Sequence, residues 1–167
     1  MAANNRKEVF LLILSNARQG EERATKVFQE LSKVAQDPDI KEALESRSFI
    51  HDKMLSTLDQ CFKLIGEQPV KMTGRLLEVF AEDFKKELEE IQSPAARHLF
   101  ILAKAIHLMH LRIGEYAALT AAADVTGHYA VGSLLETCLA DQLALAERTR
   151  RLIRNVVEVA VAERKAA

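Results

Sequence analysis

Gly66-Glu-Gln-Pro-Val-Lys-Met-Thr-Gly-Arg-Leu-Leu-Glu-Val-Phe-Ala-Glu-Asp-Phe-Lys-Lys-Glu-Leu-Glu-Glu-Ile-Gln-Ser93 is the stretch on which the fold turns. Its first four residues read as a turn. After them the spacing predicts a shorter amphipathic helix with Leu77, Phe80, Phe84, Leu88 and Ile91 on one face. The segment is too long for a tight hairpin. At 1.5 Å per residue a helix of about 17 residues reaches ~25 Å, enough to carry the chain back along a helical bundle. The stretch is therefore a crossover between two pairs of long helices.

On either side of it, apolar residues recur at spacings of three and four rather than two, so the chain is all-α. Phe10, Leu14, Ala17, Glu21, Ala24, Phe28, Leu31 and Ala35 form a seam on a first helix from about Asn5 to Gln36. Asp37-Pro38 supplies an N-cap and a first-turn proline for a second helix ending near Gly66. Its seam is Ile40, Leu44, Arg47, His51, Met54, Leu58, Cys61 and Ile65. Ser93-Pro94 opens the third long helix, with Leu102, Ala105, Met109, Arg112, Tyr116, Leu119 and Ala123, closed by Gly127. The fourth carries Leu134, Cys138, Asp141, Leu145, Arg148 and Leu152, then Val156 and Val159. Two antiparallel helix pairs joined by one long connection make the ferritin-like four-helix arrangement, its crossover carrying an extra short helix.

Composition agrees with one domain over residues 1–167. Hydrophobic residues are 49% and charged residues 28%, with six Gly and three Pro, which excludes a disordered or linker-like chain. The formal charge of −1 provides no field for nucleic acid, and the arginines 148, 150, 151 and 154 have no interleaved aromatics, so no nucleic-acid partner is expected. The longest apolar run near the N-terminus, Val9 to Leu14, is far short of a membrane span. A cytoplasmic location follows, with Cys61 and Cys138 as reduced core thiols.

Each long helix places a charged residue in the middle of its apolar seam: Glu21, Arg47, Arg112 and Asp141. Unpaired charges in a bundle core cost several kcal/mol each, so the four are expected to pair. Counting from the hairpin turns favours this. Glu21 lies fifteen residues before Gln36 and His51 thirteen after Pro38, while Arg112 lies fourteen before Thr126 and Asp141 thirteen after His128. The alternative is a seam phase off by one residue, with the long side chain reaching water from the edge.

Leu31-Ser-Lys-Val-Ala-Gln-Asp-Pro-Asp-Ile-Lys-Glu-Ala-Leu-Glu45, then Leu58-Asp-Gln-Cys-Phe-Lys-Leu-Ile-Gly-Glu-Gln-Pro69 and Ile113-Gly-Glu-Tyr-Ala-Ala-Leu119, resemble the YciE/YciF family of ferritin-like bacterial proteins. The resemblance covers about residues 8–150 and implies a homodimer, a link to stress response, and a carboxylate-rich di-metal site at mid-bundle. Carried over residue by residue, two acidic positions of that site fall on Glu21 and Asp141. The second-helix His-x-x-Glu positions fall on Arg47 and Ile50, and the third-helix acidic positions on Met109 and Arg112. Independently of the resemblance, no His lies three residues after a Glu anywhere in the chain. Two acids beside two guanidiniums cannot hold two cations, so the arginines read as internal replacements for the metals' charge.

The expected protein is thus a homodimer with a non-enzymatic structural or partner-binding role, no cofactor, and a partner the sequence does not name. The alternative is a metalloprotein handling iron, dioxygen or peroxide through a rearranged site, with iron or manganese on Glu21, His51 and Asp141. His107 and His110 share a stripe with Ala103, Gly114, Ala117 and Ala121, read as close helix packing or a dimer contact in preference to a metal pair.

Overall fold

The computed structural model describes residues 3–166, and the side chains of all but residues 48–49 and 159–166 within that span. Six helices, and no strand among the described residues, make up the chain: α1 Arg6–Val34, α2 Pro38–Glu45, α3 Arg47–Ile65, α4 Leu76–Glu89, α5 Pro94–Val125 and α6 Tyr129–Ala166.

The ends fall where local chemistry places them. Asn5 accepts from Glu8 N, Asp37 accepts from the amides of Asp39 and Ile40, and Ser93 accepts from Ala96 N, with Pro38 and Pro94 in the first turns behind the last two. Gly66 and Gly127 stop α3 and α5 at φ 72° and 79°. Beyond each, an amide reaches back five residues, Glu67 N to Phe62 O and His128 N to Ala123 O, satisfying carbonyls the helix leaves open. The second predicted helix is divided at Ser46. There the backbone amide bonds to the Glu42 and Leu44 carbonyls and the hydroxyl donates to Ala43 O, tightening the turn that separates α2 from α3.

α1 packs beside α3 and α5, and α6 beside the same two, which closes a four-helix ring. Near one end Phe10 of α1, Phe62 of α3, Ala123 of α5 and Val131 of α6 share a cluster. The start of α1 therefore meets the ends of α3 and α5, so α1 and α6 run one way and α3 and α5 the other. The connection between α3 and α5 must then climb the bundle, as the crossover reading requires. It does so in two parts. Residues 70–74 run extended beside α1, where Ser15 Oγ accepts from Val70 N at 3.0 Å, Gln19 Nε2 donates to Val70 O at 3.2 Å and Gln19 Oε1 accepts from Met72 N at 3.1 Å. Arg23 takes Gly74 O. These three side chains stand one helical turn apart on one face of α1. Then α4, 14 residues long, buries Leu77, Phe84 and Leu88 against the α1 and α5 end of the bundle.

The predicted seams of α1 and α5 are buried at every position, and that of α2–α3 at every position but Ile65, which is half-buried. In α6 the phase differs by one residue. The buried line is Val131, Leu135, Cys138, Gln142, Leu145 and Thr149, so Gln142 and not Asp141 stands at mid-seam, and Arg148 lies exposed against Glu42 and Ser46. Val156 packs at the edge of the core, and Val159 lies outside the described side chains.

The interior consists of two apolar clusters. One gathers Ala24, Phe28, Leu31, Ile40, Leu44, Leu102, Ala105 and Leu145, and the other gathers Phe10, Leu14, Met54, Leu58, Tyr116, Leu119 and Leu135. Buried polar side chains lie between them.

Candidate functional site

Glu21 is the centre of that layer and is fully buried. Its Oε1 accepts from Arg47 Nη2 of α3 at 2.5 Å, and its Oε2 accepts from Arg112 Nη2 of α5 at 3.0 Å and from the Tyr116 hydroxyl at 3.3 Å. One carboxylate of α1 thereby fastens both helices that flank it. Arg112 Nη2 also donates to Ala17 O at 2.7 Å, and its Nη1 pairs with Glu115 one turn further along α5. Two carboxylates balance two guanidiniums. The approach is close enough that a Cβ built on Gly20 would fall on Arg112 Nη1, with Cζ at 3.3 Å, so any larger residue there would have to displace the guanidinium.

Arg47 is 1% exposed. It lies over the Phe28 ring at 5.3 Å and directs Nη1 toward Met54 Sδ at 3.9 Å. Arg112 lies over the Tyr116 ring at 5.4 Å. His51 is at the margin of the layer, its Nδ1 hydrogen-bonded to Thr25 Oγ1 and 3.5 Å from Glu21 Oε1. Gln142 completes the section from α6, its amide directed at Met54 Sδ at 3.3 Å.

The electrostatics follow from this geometry. Burial pushes the Glu21 carboxyl up, but the His51 hydrogen bond and the Arg47 and Arg112 charges more than offset it and hold the group at about 2. Glu115, partly buried at the edge, is raised by desolvation, with Arg112 working against the rise. The Arg112 guanidinium is pushed down by burial, yet Glu21 and Glu115 leave it above its ordinary value, so it stays charged. Burial raises Tyr116 as well, and lifts the Cys61 and Cys138 thiols to about 12 and 11, leaving poor nucleophiles.

Of the predicted site residues, Glu21, Arg47, His51 and Arg112 come together and Asp141 does not. Asp141 faces outward and bonds Lys53 Nζ at 2.7 Å, because α6 turns Gln142 inward in its place. The acid that balances the second arginine is Glu115, which the seam argument passed over. Its spacing of three from Arg112 on one helix was the available signal. Ile50 packs against both apolar clusters, and Met109, 1% exposed, receives the Thr149 hydroxyl at 3.3 Å.

These residues do not fit the di-metal centre that the resemblance implies. A pair of divalent cations requires several anionic oxygens on each ion, whereas here both Glu21 oxygens face permanent cations and neither Ile50 nor Met109 offers an oxygen. Among the described residues no three His, Cys, Asp or Glu side chains gather around a common point. The set Glu21, His51 and Asp141 is therefore not assembled.

Four long helices, a crossover that climbs the bundle and a polar section at its middle define a ferritin-like helical protein. The chain belongs to the family described as a domain of unknown function, DUF892, matched over residues 5–162, and is of the YciE/YciF type. Its fold is similar to that of the Escherichia coli stress protein YciF, with a TM-score of 0.88 at 19% identity over 93% of this chain and 99% of that one. YcfI of Rhodopseudomonas palustris gives 0.83 at 23% identity over 88% and 94%, and a protein of Xanthomonas campestris gives 0.75 at 20% identity over 98% and 100%. Among curated proteins none matches. No helix among the described residues is long and apolar enough to cross a membrane.

Proposed function

We propose that this protein is a non-catalytic member of its family, a cytoplasmic homodimer with a structural or partner-binding role in stress response, in which a charge-paired core stands where the family resemblance implies a metal centre. The observation that supports the reading is that Glu21, the one fully buried carboxylate among the described residues, has both oxygens taken by guanidiniums. A cation entering there would have to displace arginines that cannot deprotonate. The stress connection comes from YciF, described as a stress protein. The dimer is favoured by α5, whose outer face exposes Ala103, His107, His110, Gly114, Ala117 and Ala121, with nothing within 4 Å of the position a Gly114 Cβ would occupy.

The test is metal analysis of protein purified without chelators and then challenged with ferrous iron and with manganese. Background metal in both arms is the expected result. Stoichiometric binding, or a melting temperature raised markedly by either ion, would overturn the proposal in favour of a metalloprotein with a rearranged site. For the dimer, sedimentation of wild type and Gly114→Leu should give a dimer and a weakened dimer, and a monomeric wild type at micromolar concentration would refute that part.

A further inference from the structure

A second feature adjoins the polar layer and has a different chemistry. Between α1 and the α2–α3 junction lies a cleft of about 300 Å³, within the size range of small-ligand sites. Phe28 and Leu44 supply apolar wall. Gln29 and Lys33 of α1, spaced one helical turn apart, supply an amide and an ammonium along one side, next to Thr25, whose hydroxyl is taken by His51. Arg47 of α3 lines the same cleft. Its Nη2 is committed to Glu21 and its Nη1 to Met54, while its Nε–H is buried with no partner among the described residues.

We propose that this cleft binds a small monocarboxylic acid. The buried Arg47 Nε–H, without a partner among the described residues, calls for an acceptor oxygen, and the exposed Lys33 ammonium along the same wall favours one that carries negative charge. Phe28 and Leu44 suit a short apolar tail. Glu45, which accepts from Ser32 at 3.2 Å, brings a negative charge to the lining and opposes a second anionic group on the ligand, which separates a monocarboxylate from phosphate or a dicarboxylate. The occupant would meet Arg47 at Nε, a different atom from the Nη2 that holds Glu21.

The experiment is NMR of the arginine Nε–Hε groups in the full chain during titration with butyrate, with butyramide and inorganic phosphate as separate arms. The Arg47 signal is identified by its movement in Phe28→Leu, since the Phe28 ring lies 5.3 Å from that guanidinium. Butyrate should move the Arg47 signal saturably, with a Kd in the millimolar range, and neither control should do so. Lys33→Glu, an exposed substitution outside the core, should weaken butyrate by about ten-fold or more. The proposal is overturned if butyrate produces no saturable shift, if butyramide or phosphate matches it, or if Lys33→Glu binds as wild type does.

Discussion

Glu21→Gln is the sharpest perturbation of the layer because it keeps the shape of the side chain and removes only its charge. A glutamine presents one acceptor oxygen and one amino group. The oxygen can serve either Arg47 or Arg112, and the amino group must then face the N–H groups of the other. Arg112 retains Ala17 O and Glu115, whereas Arg47 keeps only Met54 Sδ and the Phe28 ring, so Arg47 becomes a buried cation without a counter-charge. Breaking a buried pair in this way costs on the order of 3–5 kcal/mol. For a chain of this length that corresponds to a fall in melting temperature of roughly 6–20 °C. Urea and thermal denaturation at pH 7 and equal protein concentration would measure it. Adding Arg47→Met removes the stranded cation and should recover roughly 2 kcal/mol relative to the sum of the two single losses. A loss below about 1 kcal/mol, or strictly additive losses, would refute the claim that Glu21 neutralises Arg47 inside the core.

Stability should also fall in acid through this one group. Glu21 is held at about 2 in the folded protein against an ordinary 4.5, so its contribution of about 3 kcal/mol is complete above 4.5 and is lost as pH falls from 4.5 toward 2. Glu115, raised by burial, acts in the opposite direction and offsets part of the loss. Urea titrations of wild type and Glu21→Gln from pH 7 to 3 should converge, and parallel profiles would contradict the assignment. Gly20→Ala should lose about 1–3 kcal/mol by pressing a methyl onto Arg112, despite the better helix propensity of alanine, as thermal melts would report. Asp141→Asn should cost less than about 1 kcal/mol, since its partner Lys53 is well exposed, and Gln142→Leu, which removes a buried oxygen without a partner, should be neutral or stabilising by the same melts.

Past Leu14 in α1, and along α2–α3, the seams were legible because a shift of one residue in either direction meets mostly polar side chains. Leu14, Ala17, Glu21 and Ala24 leave no second reading of α1, and Glu21 could be assigned to the core because its neighbours in the seam fixed the phase. In α6 both phases carry apolar residues, with Leu134 beside Leu135, Leu145 beside Ala146 and Leu152 beside Ile153. Periodicity alone could not choose between them, and the spacing of four and three from Leu134 through Cys138 drew the seam through Asp141. What settles the phase is volume and polarity at mid-bundle, where the two arginines already have their counter-charges in Glu21 and Glu115 and a neutral Gln142 suffices. The break at Ser46 was invisible for a similar reason, because a serine in mid-helix gives no sign of whether its hydroxyl will compete for a backbone carbonyl.

The connection that climbs the bundle is held by Ser15, Gln19 and Arg23, and the groups they hold on residues 70–74 are all backbone amides and carbonyls. Recognition of this kind ignores side-chain identity on one strand of the contact and depends on it wholly on the other. Drift should therefore be lopsided. Lys71 and Thr73 can be exchanged for almost anything, proline included, while proline at Val70 or Met72 would delete an amide that α1 relies on. A family spread over many lineages could rewrite the sequence of its crossover and still lay it along the same path, provided three polar side chains on the first helix stay where they are.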